Sequence, residues 1–180
     1  MLIAIIAIVV LFILWLISAQ RKLVNADELS KNALSQIGVQ QNSRWDALTA
    51  LADQIRSYNE HEYNSLKDII AQRSPISRDS SVQDVQAQEA KIAEALKQIN
   101  VVVERYPELK ANELYLKTMD NVNVYENQVR MSRMTYNDTV TKYNKLIRMF
   151  PDNIAAMIFR FSPRDYLAEP QGKTEMPSMR

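Results

Sequence analysis

The first twenty residues, MLIAIIAIVVLFILWLISAQ, carry no charged side chain, and this run constrains the chain more than anything after it. As a helix rising 1.5 Å per residue it extends ~30 Å, the thickness of a bilayer's hydrocarbon core, with every backbone polar group paired internally. Trp15 near its far end, followed by Gln20, Arg21 and Lys22, supplies an aromatic anchor and then a charged boundary. The span is therefore expected over residues 1–20. A cleaved signal peptide is the rival reading, but the run has no basic segment before it and exceeds the usual apolar core of a leader. Arg21, Lys22 and Lys31 after the span put the rest of the chain in the cytoplasm by the positive-inside bias.

No proline occurs before Pro75, so the helix is predicted to continue unbroken through Arg73, a rod of ~110 Å with Gly38 as its weak point. The chain has only two glycines and six prolines among 180 residues, which leaves few places to turn and implies an all-α fold. Leu48, Leu51, Ile55, Tyr58, Glu62, Leu66 and Ile69 follow steps of three and four, the stripe of a helix packed on neighbours. Ser74 to Ser81 reads as the first connection, with Asp79, Ser80 or Ser81 capping a second helix. That helix carries Val82, Val85, Ile92, Leu96, Ile99 and Val103 and stops at Tyr106-Pro107, because the residue before proline is pushed out of the helical region.

A third helix is predicted from about Leu109 to Phe150, with Met119, Val122, Val129, Tyr136, Val140, Tyr143, Ile147 and Phe150 as its seam. Glu126 and Arg133 fall on that seam, seven residues apart, and a charge there must be paired. Arg44, His61 and Glu62 on the first helix are the candidate partners. After Pro151 the segment DNIAAMIFRF is too short to span; it either covers the end of the packed helices or touches the membrane surface, and its scarcity of basic residues favours the cover. The organisation expected is a transmembrane helix at 1–20, a long antiparallel bundle of three long helices plus a short C-terminal helix at 21–167, and a disordered polar tail at 168–180.

Lys plus Arg is 22 and Asp plus Glu is 21, which removes the basic field that nucleic acid requires. There is no cysteine and one histidine, His61, and the run His61-Glu62-Tyr63-Asn64-Ser65 has serine where a zincin helix needs its second histidine. Gly38 and Gly172 alone build no phosphate loop. No cofactor and no small-molecule substrate are indicated. Carboxylate chemistry at Glu62 or Glu126 is the residual enzymatic reading, against the simpler one of ion-pair partners. Tyr-Asn recurs at Tyr58-Asn59, Tyr63-Asn64, Tyr136-Asn137 and Tyr143-Asn144. Each pair suits a seam, ring inward and amide reaching a neighbouring helix, or alternatively an exposed docking stripe.

In order along the chain, Gln36-Ile37-Gly38-Val39-Gln40, Arg44-Trp45-Asp46-Ala47-Leu48, Tyr58, His61-Glu62, Tyr106-Pro107-Glu108-Leu109-Lys110-Ala111-Asn112, Glu126, Arg133, Tyr136-Asn137, Tyr143-Asn144 and Phe150-Pro151-Asp152-Asn153 resemble the LemA family of bacterial membrane proteins. Where that family usually has an Arg-Arg pair and an Ile-Pro-Asn-Leu segment, this chain has Ser43-Arg44 and Leu48-Thr49-Ala50-Leu51, without the proline that would kink the helix. The resemblance implies a single-pass inner-membrane protein with a helical domain and no known catalytic activity. The expectation is thus a non-enzymatic scaffold in the bilayer that associates with further copies of itself. The alternative is a regulatory adaptor for a membrane protease or signalling partner. Arg44, Tyr58, His61, Glu62, Glu126, Arg133, Tyr136, Asn137, Tyr143 and Asn144 are its candidate structural and interaction residues.

Overall fold

A computed structural model describes residues 1–168; the remainder of the predicted polar tail, 169–180, lies outside the described residues. Six helices follow in order: α1 (Leu2–Arg56), α2 (Glu60–Ile70), α3 (Val82–Arg105), α4 (Pro107–Lys110), α5 (Glu113–Leu146) and α6 (Asp152–Ile158). No strand occurs among the described residues. One of these helices, α1, is long and apolar enough near its start to cross a membrane.

The predicted rod is shorter than the absence of proline suggested. It ends at Arg56, and Asn59 adopts an extended conformation (φ −156°) in which its side chain accepts hydrogen bonds from the backbone N–H groups of His61 and Glu62, starting α2. The Asn59 amide also donates to the Tyr106 hydroxyl at 2.7 Å, which ties the break to the end of α3. An asparagine cap can mark a helix break without proline, because its side chain satisfies the first orphan N–H groups of the helix that follows. Tyr58 consequently falls in the break and is exposed, while Leu66 returns to the core. Across Leu48 and Leu51, where the family proline is missing, α1 is continuous.

The other boundaries follow local chemistry. Ser81 and Asp84 form a reciprocal capping box at the start of α3. Pro107 opens α4 at a position where its missing N–H costs nothing. The helix predicted from Leu109 to Phe150 begins four residues later and ends four earlier, since Asn112 caps α5 by accepting from Leu114 and Tyr115.

Gly38 does not weaken α1. It lies buried where residue Ile76 of the α2–α3 connection crosses the helix, and a Cβ there would overlap the Ile76 carbonyl oxygen and come within 3.0 Å of its Cβ. Glycine is present for close backbone approach.

α1 and α5 run antiparallel, as the order of their contacts shows. Ala19 and Leu23 meet Tyr143 and Ile147; Leu34 and Ile37 meet Tyr136, Val140 and Val129; and Trp45 and Leu48 share a cluster with Val122 and Tyr115. The third of these clusters also takes in Leu66 from α2 and Ile92, Ile99 and Val103 from α3. Burying each such aliphatic side chain contributes ~1.5–3 kcal/mol. Near the end of the apolar run, Ala155 and Ala156 of α6 complete the cluster around Ala19 and Leu23.

Candidate functional site

Two sets of polar side chains hold the helices to one another. The first is a ladder of charges on the seams. Arg44 of α1, with a side chain 10% exposed, meets Glu126 of α5 at 3.1 Å; of the three candidate partners Arg44, His61 and Glu62, it is Arg44 that reaches Glu126. Burial pulls the Arg44 guanidinium below its ordinary value, and Glu126 and then Glu89 oppose that shift. Arg133, by contrast, does not reach the first helix: it pairs with Glu89 of α3 and donates to the Ala168 carbonyl. Glu89 therefore stands between two cations from two different helices. Nearer the apolar run, Asp27 pairs with Arg164 at 2.7 Å and with Lys31 at 3.2 Å.

The second set is a clamp. After α6 the chain turns back as an extended strap, 161–168, running along α5. Asn144 donates to the Arg164 carbonyl and accepts from the Arg164 N–H, both at 2.9 Å. Asn137 repeats this with Leu167, donating at 2.9 Å and accepting at 3.0 Å. The hydroxyls of Tyr143 and Tyr136 donate to the carbonyls of Ser162 and Asp165 at 2.8 and 2.9 Å. The match is geometric: seven residues of α-helix advance ~10.5 Å, and three residues of extended chain advance ~10 Å. Two Tyr-Asn pairs one heptad apart therefore meet every third residue of the strap.

Tyr136 and Tyr143 turn their rings inward as seam residues, and the partner their hydroxyls reach is the strap instead of a neighbouring helix. The rings are buried, the hydroxyls face the strap, and burial holds both phenols above their ordinary value, with Asp27 adding to the effect at Tyr143. At the other Tyr-Asn positions Asn59 is a cap, and Tyr63 lies half-buried beneath the Arg56 guanidinium, 5.3 Å from the ring centre. His61 is exposed on α2, and Glu62 pairs with Arg105 of α3 at 2.8 Å, so neither joins the Glu126 and Arg133 ladder. Tyr58 tilts against Tyr106 with ring centres 6.4 Å apart.

Beside the clamp an open cleft of about 300 Å³ is lined by Asp27, Ser81, Tyr136, Tyr143 and Arg164 among others. Of these, Tyr136 and Tyr143 are engaged in the clamp, Asp27 and Arg164 in their ion pair, and Ser81 in the capping box of α3. No group of three or more His, Asp or Glu side chains suited to a metal ion occurs among the described residues.

The ordered motifs and this geometry can be set against known proteins. A family model described as LemA family matches residues 33–180. The chain belongs to the LemA family. It is also 29% identical over 130 residues to Protein LemA of Metamycoplasma hominis, an alignment that covers 70% of this chain and 58% of that relative. The chain thus spans less than two thirds of the relative's length.

In this LemA-family chain, sequence reasoning missed Glu89 and Asp27, although the signal was present. Glu89 lies between Val85 and Ile92, and Asp27 between Leu23 and Leu34, at the three- and four-residue steps of the buried stripes. The rule that singled out Glu126 and Arg133, a charge in register with a seam, picks out both.

Proposed function

We propose that this LemA-family protein is a membrane-anchored, non-enzymatic scaffold of the bacterial envelope that associates with further copies of itself. The carrying observation is that α1 passes without a break from the apolar run into the packed helices, with α5 laid antiparallel along it. An anchor joined in this way is part of the domain, which suits an element that positions others more than a tethered enzyme. The seam charges, Arg44, Glu126, Arg133, Glu89 and Asp27, are engaged in pairs that join helices, consistent with a structural role.

Self-association finds support on the outer face of α1 and α5. Val124 and Met131, one heptad apart, are each at least half exposed and line a groove with Gln40, Asn127 and Gln128. A stripe of that kind suits a helix from a second copy. The bundle, on this reading, stands on the cytoplasmic side of the inner membrane.

The test uses the absence of native cysteine. Met131→Cys protein should crosslink to itself in native membranes, and detergent-solubilised particles should exceed the monomer mass. Protein that stays monomeric at high concentration and gives no self-product would refute the scaffold reading. A Thr135→Cys variant tests the orientation: resistance to an impermeant thiol reagent in intact cells is the expected result.

A further inference from the structure

The two readings of the segment after Pro151 are not exclusive, because they use opposite faces of α6. One face, Ala155 and Ala156, closes the cluster around Ala19, Leu23, Tyr143 and Ile147. The other is apolar and uncovered: Phe150 is 78% exposed and Met157 77%, and Met149, Ile154, Ile158 and Phe159 are exposed beside them. A continuous apolar patch of this kind on a small domain marks a contact surface.

Its position identifies the occupant. The cluster that α6 completes includes Trp15, Leu16, Ala19 and Leu23 of α1, which bracket the point where the uncharged run gives way to Gln20, Arg21 and Lys22. Residues 15 to 23 cover ~12 Å of helix, enough to bridge the edge of the hydrocarbon and the ~5–8 Å headgroup zone on one side of a bilayer. A patch packed at that level lies against whatever surrounds the end of the span. Exposed cations lie on the adjoining segments of the chain: Arg21 and Lys22 follow the apolar run, Lys142, Lys145 and Arg148 lead into Phe150, and Arg160 follows α6, with Asp152 the acid that opens α6. Cations flanking an apolar face are the pattern of a helix lying in an anionic headgroup layer, the basic side chains reaching outward past the apolar ones.

Arg160 adds a further sign. It follows α6 in the left-handed conformation (φ 57°), with the Phe161 N–H bonded to the Ala156 carbonyl at 2.9 Å and the Arg160 N–H to Met157 at 3.3 Å. Glycine fills that position at lowest cost. Here it is held instead by an exposed arginine that directly follows the exposed Phe159.

We propose that the Phe150, Met157 and Ile158 face of α6 lies in the interfacial layer of the same bilayer that α1 enters, as a second, in-plane contact with anionic lipid. This rests on the reading of the apolar run as a membrane span, and the experiment separates the two. Spin labels would be attached in the full chain at Met157→Cys, at Ile8→Cys within the span, and at Asp120→Cys at the far end of α5, and the protein reconstituted into phosphatidylcholine–phosphatidylglycerol vesicles. Collision with oxygen relative to a water-soluble nickel chelate reports depth. The expected ratio at Met157 is several-fold above that at Asp120 and below that at Ile8. A Met157 label as open to nickel as Asp120, with Ile8 deep in lipid, overturns this proposal and leaves the span intact. An Ile8 label in water overturns both. Met157 labels shielded from both reagents and broadened by one another would assign the face to a second copy, and would also overturn the proposal.

Discussion

Asn144 and Arg164 bond as two residues in a sheet would, one side-chain amide donating to the carbonyl and accepting from the N–H of one residue, at 2.9 Å each way. Asn144 is 5% exposed, so losing its amide leaves the Arg164 backbone without the partner that replaced water. Asn144→Ala is expected to destabilise by about 1–3 kcal/mol, and Asn137→Ala by a similar amount, in urea denaturation. Trypsin cleavage after Arg160 and Arg164 should accelerate in both variants. Together they should cost less than the sum, because a strap freed at one clamp holds the other less firmly.

The clamp should also respond to alkali. Tyr136 and Tyr143 donate to carbonyls through phenols that burial holds above the ordinary 10.0. A folded value above the unfolded one means the stabilisation is complete below pH ~10 and is lost as pH rises beyond it, since the unfolded phenols ionise first. Ultraviolet titration should show tyrosines ionising late, and Tyr136→Phe with Tyr143→Phe should remove two of that late class.

Glu89 faces Arg133, with side chains 20% and 9% exposed, and adds to the field at buried Arg44. Glu89→Ala strands one buried cation and weakens the support of another, so a loss of roughly 3 kcal/mol is expected. Glu126 is 36% exposed, and solvent screening limits Glu126→Ala to about 1 kcal/mol. Thermal denaturation of the two variants side by side checks the order.

Replacing a helical glycine by alanine ordinarily gains about 1 kcal/mol of helix propensity. At Gly38 the sign should reverse, because the new methyl group meets the backbone of Ile76. Gly38→Ala is expected to destabilise by roughly 1–3 kcal/mol as overpacking displaces the α2–α3 connection. Ile76 amides should exchange hydrogen faster.

Particular residues show how much could be read in advance. The stop at Tyr106-Pro107 was legible from a local rule, while capping preference and the helical repeat narrowed the α3 cap to Asp79, Ser80 or Ser81 and the partner of Glu126 to Arg44, His61 or Glu62. The break at Ser57 to Asn59 was missed because an asparagine cap needs no proline, and asparagine is common inside helices too. The strap was invisible for a different reason. Tyr136, Asn137, Tyr143 and Asn144 address backbone atoms, so nothing in the side chains of 162–167 advertises the partnership. The place of Tyr136 and Tyr143 on the seam is legible, but that register serves any buried seam equally well.

The continuity of α1 has a rotational consequence. Each residue turns the helix by 100°, so on the proposed membrane-anchored reading the heading of the domain about the membrane normal is a phase inherited from the apolar run. One residue inserted near Ile8 would swing the part of the span before it a quarter-turn and more relative to the domain. Four would nearly restore it. Contacts between spans would thereby decide which flank each domain turns toward its neighbour.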